Sequence, residues 1–250
     1  MVSAHPSAGE ATWPVRCRPR QNLHQDGNPA PEQAEWLDWV ARYANHIDPT
    51  VDYKMDTPLK SNPNAEALIV GEGNLSFTLS LVGMSGITPS RLIATTFENK
   101  EELSSDAIAN AEVLRRKGVT VLHGVDGSSL ASVFGSWRFD TIVFQFPHAG
   151  SRDAVEGNNP NFVLVRDFLI SAAVQLHRGG KVLISAVDSP HYRVAFQFDE
   201  AADIAGFAPP ESYPFDPSAF SEYEHTMTHQ SGSAIDHHDE FSTWVFRKRA

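Results

Sequence analysis

Cysteine is almost absent from this sequence, since Cys17 is the single cysteine among 250 residues. One thiol excludes an intrachain disulfide and any zinc site built from several cysteines. Long apolar runs are also missing, and Pro6, Gly9 and Pro14 interrupt the N-terminal segment where a signal peptide needs an apolar stretch. We therefore expect a cytoplasmic protein with no membrane association.

Positive charge is scarce as well. The chain carries 20 Lys and Arg against 31 Asp and Glu, which gives a formal net charge of -11. A protein attracts a phosphate backbone through Lys and Arg side chains that displace counterions. The composition therefore predicts a small-molecule substrate rather than nucleic acid as the partner, and it leaves a homodimer open.

Two regions differ in their pattern. Residues 1–60 are predicted to form an N-terminal arm and a helical lid, because an apolar stripe that includes Trp36 and Tyr43 runs through residues 32–47 at helical spacing. That helix either packs on the side of the main domain or closes over a small-ligand pocket. Residues 61–250 are predicted to form a ligand-binding α/β domain.

In the second region, strand-like and helical segments alternate. Strands are predicted over residues 67–70, 91–97, 119–123, 139–146, 181–187 and 241–246. Helices are predicted over residues 76–82, 100–117, 162–177 and 194–205. Such alternation predicts an α/β fold with a mostly parallel sheet, helices on both faces and an antiparallel C-terminal strand.

The domain is organised around its first strand and the turn that follows. Residues 67–70 are apolar and run into Gly71-Glu72-Gly73, a tight turn where backbone can approach a ligand closely. The next helix has three candidate caps, namely Asn74, Ser76 and Thr78. The third glycine of the dinucleotide fingerprint is absent, which argues against a pyrophosphate. The turn either holds an adenosine with an uncharged linkage or is a glycine turn of an ordinary α/β fold.

Acidic residues follow two further strands. Because open α/β sheets bind ligands at the carboxyl ends of their strands, we expect these acids to lie near the glycine turn. Glu98 can accept both hydroxyl hydrogens of a ribose, or it is a solvated acid that starts a helix. Asp126 can receive an adenine amino group, or it caps the segment that begins at Ser128.

An ordered set of motifs resembles the ribosomal RNA uridine-N(3)-methyltransferase-like family of class I S-adenosylmethionine-dependent methyltransferases. The motifs are residues 70–77, 123–126, 139–140, 146–148 and 223–225. The resemblance implies a Rossmann-like domain that binds S-adenosylmethionine. The cofactor-binding residues predicted on this basis are Gly71, Glu72, Gly73, Asn74, Ser76, Phe97, Glu98, Asp126, Gly127, Gln145 and Phe146.

Three side chains are predicted to be catalytic, namely Gln145, His148 and Tyr192. Gln145 stands where the family usually has Asn, and an amide there can orient an acceptor nitrogen. His148 is favoured as a pocket wall or orienter over a base, because the thioether that leaves a sulfonium is neutral and needs little acid–base help. Phe146, Tyr192 and Tyr223 either face the sulfonium through cation–π attraction or pack in the core.

The combined expectation is a methyltransferase acting on a small nitrogen acceptor in bacterial-type secondary metabolism. Three alternatives stay open. The first is a cyclase that turns the cofactor's own amino group onto its Cγ, giving azetidine-2-carboxylate and methylthioadenosine. The others are uridine-N(3) methylation of ribosomal RNA and a non-catalytic ligand-binding domain. No metal site is expected, because a Ser-Gly-Ser segment separates His225 and His229 from His237.

Overall fold

The computed structural model describes residues 66–151, 153–224 and 240–249. Its strands are β1 (Ala67–Val70), β2 (Leu92–Thr95), β3 (Thr120–Leu122), β4 (Phe139–Gln145), β5 (Leu176–Val187), β6 (Glu211–Pro214) and β7 (Phe241–Arg247). Its α-helices are α1 (Ser76–Leu81), α2 (Ser105–Arg116), α3 (Leu130–Phe134), α4 (Pro160–Gln175), α5 (Pro190–Phe196) and α6 (Phe198–Ile204). The predicted arm, the lid helix and the C-terminal histidines lie outside the described residues, so the division into two domains stays a prediction.

Within the described ranges, the strands form one sheet in the order β3-β2-β1-β4-β5-β7-β6. The first five strands pair in parallel, whereas β7 pairs antiparallel with both β5 and β6. The predicted mostly parallel sheet with an antiparallel C-terminal strand is therefore confirmed. None of the helices in the described ranges is long and apolar enough to cross a membrane.

Each strand sends alternate side chains to opposite faces of the sheet, which creates two cores. Leu68 and Val70 of β1 belong to the cluster covered by α3, α4, α5 and α6. Ile69 belongs to the cluster covered by α1 and α2. Helices on both faces explain why strands such as β1 read as continuous apolar runs, since neither face meets water.

Helix α2 begins later than the sequence predicts. The prediction places its start at residue 100, but residues Lys100–Glu102 form a separate 3-10 turn. Asn99 and Glu102 close a capping box around that turn, and Ser104 then caps α2 by accepting the Ala107 N–H at 3.1 Å. The short segment between the 3-10 turn and α2 is therefore not part of either helix.

Three further elements differ from the prediction. The helix expected over residues 194–205 is broken into α5 and α6 at Gln197, whose φ of 46° is left-handed. Helix α3 was not predicted, because it is only one turn long after a 3-10 turn at residues 127–129. Strand β6 was not predicted either, because it is a short and largely exposed edge strand without apolar alternation.

The turn after β1 depends on a very close approach to β4. Gly71 has a φ of 68°, and a Cβ there would lie 2.8 Å from Cε2 of Phe144. The Phe144 ring cannot swing away freely, because it packs edge-on against Phe168 with a centroid distance of 4.8 Å. A side chain at position 71 therefore meets both backbone strain and a blocked space.

The close contact between Gly71 and Phe144 predicts that substitution of Gly71 destabilises the protein more than substitution of a glycine in open space. Gly71→Ala is expected to lower the free energy of unfolding by about 2–4 kcal/mol, because it adds overpacking to left-handed strain. Gly157→Ala is the matched control, since Gly157 has a φ of 80° and open space around it. The control should lose about 1–2 kcal/mol from strain alone. Urea unfolding measures both, and equal losses would contradict the proposed role of Phe144.

Candidate active site

A cavity of about 450 Å³ lies at the carboxyl edge of the sheet. The chain leaves β1 for β2 on one side, and β4 pairs with β1 on the other side. This is the point where the strand order reverses and where open α/β sheets have their ligand crevice. Segments that follow β1, β2, β3 and β4 all contribute to its walls.

Most predicted site residues line this cavity. They are Gly71, Glu72, Gly73, Asn74, Phe97, Glu98, Asp126, Gly127, Gln145, Phe146 and His148. They meet there because each follows the carboxyl end of a parallel strand. Ser76 and Tyr192 are not among the lining residues.

Ser76 and Asn74 contact a distant part of the chain. The Ser76 hydroxyl is buried and donates to the Glu224 carbonyl oxygen at 2.9 Å. The Asn74 amide donates to the same oxygen at 3.0 Å, and its side-chain oxygen accepts the Ser76 N–H at 3.1 Å. The structure thus places Ser76 behind the cavity wall as a support for residue 224, rather than at the surface that a cofactor would touch.

Tyr192 lies in a different place from the other predicted catalytic residues. It is on α5, where its ring stacks on Phe196 with a centroid distance of 6.0 Å and meets His191 edge-on. It packs against the core beneath α4. The alternative of core packing therefore describes its position, because Tyr192 packs against the core cluster and is not among the residues that line the cavity.

Glu72 is the most perturbed titratable group in the cavity wall. It stands between the two glycines but is 5% exposed. Its carboxyl accepts the Thr78 N–H at 2.9 Å and contacts the Thr78 hydroxyl, so it caps the first turn of α1. Burial raises its pKa to about 7, and the bonds from Thr78 only partly oppose that rise. Of the three predicted caps, Asn74 accepts the N–H of Ser76 at the start of α1, whereas the acid in the turn accepts the Thr78 N–H.

Asp126 caps a turn and also lines the cavity. Its carboxylate accepts the Ser128 N–H and the Ser128 hydroxyl, both at 2.8 Å, so the predicted capping role is present. It also lines the cavity, as does the exposed Glu98 at the end of β2. The capping bonds hold the Asp126 carboxylate at the cavity rim, so the two predicted roles are compatible.

Gln145 ends β4 with its amide unsatisfied. The side chain is 8% exposed, and neither its oxygen nor its nitrogen has a hydrogen-bond partner in the described protein. The next residue, Phe146, has a φ of 48°, which is rare for a side chain of this size. A buried polar pair without partners and a strained neighbour are features that collect at ligand sites.

His148 follows the same turn and is exposed. Its Nδ1 accepts the N–H of Gly150 at 2.9 Å. In the neutral ring that bond places the proton on Nε2, so Nε2 is a donor rather than a base. The geometry agrees with the predicted role as wall or orienter.

Several lining residues were not predicted. They are Glu102, Leu103, Ser104, Ala149, Leu164 and Glu224. The capping signals at Asn99 and Ser104 were readable in the sequence and would have placed the first three in a loop. Glu224 belongs to the predicted motif at residues 223–225, but its place in the cavity wall was not predicted, because its contacts with α1 span 148 residues.

The cavity wall is acidic. Among the described residues that line it are five carboxyl groups and no Lys or Arg; the acids are Glu72, Glu98, Glu102, Asp126 and Glu224. A field of this sign attracts cations and repels phosphate groups. The wall therefore suits a nucleoside that carries positive charge better than a nucleotide.

The buried Glu72 predicts a pH-dependent stability. The folded-state pKa of about 7 lies above the ordinary glutamate pKa of 4.5, so folding favours the protonated form. That contribution is fully present below the unfolded pKa and is lost as the pH rises through 7. Glu72→Gln should remove this pH-dependent loss in the free energy of unfolding, which has an upper limit of about 3 kcal/mol. Urea unfolding at acid and alkaline pH measures it. Glu112→Gln, on the exposed side of α2, is the control, and a wild-type pH dependence surviving in Glu72→Gln would contradict the assignment.

Comparison with known proteins gives a family. A model described as rRNA (uridine-N3-)-methyltransferase BMT5-like matches residues 68–227. An uncharacterized protein of Arabidopsis thaliana is 37% identical over 131 residues, covering 47% of this chain and 61% of that protein. The ferredoxin-fold anticodon-binding domain-containing protein 1 homolog of Mus musculus is 33% identical over 174 residues, covering 64% of this chain and 27% of that protein. The chain thus spans less than two thirds of the length of these relatives.

Solved structures also match the chain, at low sequence identity. N-methyltransferase NodS from Bradyrhizobium japonicum is 14% identical, with 88% of this chain and 98% of that chain covered and a TM-score of 0.47. The 16S rRNA (adenine(1408)-N(1))-methyltransferase from Catenulisporales acidiphilia is 12% identical, with 80% and 96% covered and a TM-score of 0.48. Likenesses of this strength assign no activity to the chain.

The family match corrects one expectation. The low content of Lys and Arg predicts a small-molecule partner in place of nucleic acid, and this prediction is wrong, because the matching family is described as methylating ribosomal RNA. Net charge sums the whole chain and does not report the surface that meets a substrate. The resemblance seen in the sequence motifs is confirmed. Since the matched segment covers more than half of the chain, this chain belongs to the rRNA (uridine-N3-)-methyltransferase BMT5-like family.

Proposed function

We propose that this chain binds S-adenosylmethionine and methylates N3 of a uridine in ribosomal RNA. The observation that carries the proposal is the unsatisfied Gln145 amide, which lines the cavity beside the glycine turn of a chain in this family. Each residue is assigned from its position in the sheet and from its chemistry.

The cofactor half of the cavity fits an adenosine with a sulfonium. Glu98 and Asp126 offer carboxylate acceptors after β2 and β3, suited to ribose hydroxyls and to an amino group. The acidic wall suits the positive charge of the sulfonium. When bound, the cofactor supplies a methyl group activated by attachment to a positively charged sulfur. The protein's task is then mainly to align acceptor nitrogen, methyl carbon and sulfur.

The acceptor side is assigned to the end of β4. Gln145 has one acceptor and one pair of donor hydrogens that find no partner among the residues that the structure describes. A uracil ring presents carbonyl oxygens on either side of its N3–H, so each half of the amide has a complementary partner. The N3 proton passes to solvent water as the N3–methyl bond forms and the methyl–sulfur bond breaks, and donation from the amide to a carbonyl oxygen favours the negative charge that develops on the ring. Phe146, beside it, offers an aromatic edge to a planar ring.

The acidic cavity is compatible with an RNA substrate if only the base enters. Enzymes that modify a base take it out of the stack into a pocket and leave the backbone outside. Phosphate groups are repelled by the carboxylates that line this cavity. We infer that a single-stranded or extruded uridine is the form that is bound.

A transfer assay tests the reaction. Ribosomal RNA incubated with the full chain and methyl-labelled S-adenosylmethionine is expected to acquire label as 3-methyluridine, detected by nucleoside mass spectrometry. Omitting RNA provides the second arm. Methylthioadenosine formed without RNA would instead support the cyclase that yields azetidine-2-carboxylate. Cofactor that stays unbound and unchanged in both arms would support a non-catalytic domain.

Gln145 predicts a separation of binding from turnover. Gln145→Leu is expected to lower the rate of methyl transfer by roughly 100-fold, because the acceptor loses its orienting amide. Its affinity for S-adenosylmethionine, measured by isothermal titration, should change less than about twofold. Gln145 is assigned to the acceptor side of the cavity, so its replacement is not expected to weaken cofactor binding. Gln175→Leu is the matched control, because Gln175 is another buried glutamine with an unpaired amide oxygen, on α4. Equal effects of both substitutions on transfer would contradict the role of Gln145.

A further inference from the structure

Residues 220–224, here called the strap, are fastened to α1 by two serine hydroxyls. The Ser76 hydroxyl accepts the Glu224 N–H and donates to the Glu224 carbonyl oxygen, both at 2.9 Å. One helical turn further on, the Ser80 hydroxyl accepts the Glu222 N–H at 2.7 Å. Both serines are buried. The two hydroxyls satisfy the backbone N–H groups of Glu222 and Glu224, while the Tyr223 N–H donates to the Phe220 carbonyl oxygen within the turn, so the serines fix where the strap lies on α1.

The strap brings one aromatic ring to the cavity. The Tyr223 ring meets Phe77 edge-on with a centroid distance of 5.7 Å. It lies nearly parallel to Phe146, with 6.4 Å between centroids and 19° between planes. Tyr223 and Phe146 both line the cavity. Together they form an aromatic wall that comes from two distant parts of the sequence.

The order of the strands in the sheet indicates which end of the cofactor would face the aromatic wall. Glu98 and Asp126 follow β2 and β3, whereas Phe146 follows β4. In the order β3-β2-β1-β4 the adenosine end and the aromatic wall therefore lie on opposite sides of the glycine turn after β1. If the two acids hold the adenosine, the sulfur lies toward Tyr223 and Phe146.

We propose that Ser76 and Ser80 are positioning residues that hold Tyr223 where it recognises the positive charge of the cofactor's sulfur. The inference rests on the proposed function, because it requires S-adenosylmethionine as the ligand. An aromatic face attracts a sulfonium but gains no such attraction from a neutral thioether. The strap thereby selects the methylated cofactor over its demethylated product.

The ratio of two affinities tests this selection. Isothermal titration of the full chain uses S-adenosylmethionine and S-adenosylhomocysteine, which differ in the methyl group and the charge on sulfur. Tyr223→Leu is expected to weaken binding of the first by roughly tenfold and of the second by less than about twofold. Tyr223→Phe keeps the ring and should retain the wild-type ratio.

The serines are tested by the same ratio. Ser76→Ala combined with Ser80→Ala is expected to shift it in the direction of Tyr223→Leu by roughly threefold, since the strap loses its bonds to both serines and keeps only the Asn74 bond to the Glu224 carbonyl oxygen. Ser80→Ala alone leaves the Ser76 bonds and should give a smaller shift of the same sign, which provides a readout if the double variant does not fold. Ser171→Ala is the matched control, because this buried hydroxyl accepts the Leu130 N–H at 2.8 Å away from the cavity. It should lower the melting temperature and leave the ratio unchanged.

The possible outcomes distinguish the proposed function from the role of Tyr223 and from the positioning role of the serines. A wild-type chain that binds neither ligand would refute the proposed function itself. Binding of both ligands, with Tyr223→Leu weakening them equally, would overturn the sulfonium role while leaving the cofactor assignment in place. A ratio that changes in Tyr223→Leu but in neither serine variant would show that the strap needs no serine fastening, and the positioning role would fail.

Discussion

The close approach of Gly71 to the Phe144 ring is the constraint on which the site depends. A left-handed residue without a side chain lets the chain turn sharply after β1 and lie against β4, its neighbour in the sheet. That turn aims α1 away from the sheet edge and opens the crevice where the strand order reverses. Phe168 of α4 packs on Phe144 in turn, so the helical layer on one face braces the turn at the edge.

The acid inside this turn has a structural role as well as a place in the cavity wall. Glu72 lines the cavity between two glycines, and its side chain is buried at the first turn of α1. There its carboxyl caps Thr78, a placement that the helix N-terminus favours electrostatically. Desolvation opposes the charge, and the resulting rise in its pKa shows that desolvation outweighs the capping bonds. The turn that holds the cavity together therefore also contains its most proton-sensitive group.

Strands and their following residues were predictable because burial leaves a direct mark on composition. β1 matches its prediction, since both its faces are covered and its residues read as an apolar run. Glu98 and Asp126 were predictable for the same reason, because the ends of such strands meet at one edge. The start of α2 and the break at Gln197 depend on local caps and a left-handed residue, which apolar periodicity does not report. Tyr223 of the strap was among the predicted aromatic residues, but the bonds of the strap to Ser76 and Ser80 were beyond prediction, because they join segments more than 140 residues apart.

The negative charge of the chain bears on which substrate it can bind. A net charge of -11 led to the expectation of a small acceptor, and family membership overturned it. The cavity explains how both facts coexist under the proposed function. Its carboxylates favour a cationic cofactor and repel phosphate, while the Gln145 amide recognises a neutral base edge by hydrogen bonds. Recognition of the base and attraction of the RNA backbone are separate physical tasks, and only the second requires Lys and Arg. An acidic pocket is therefore no argument against a nucleic-acid substrate, provided that the backbone is held elsewhere.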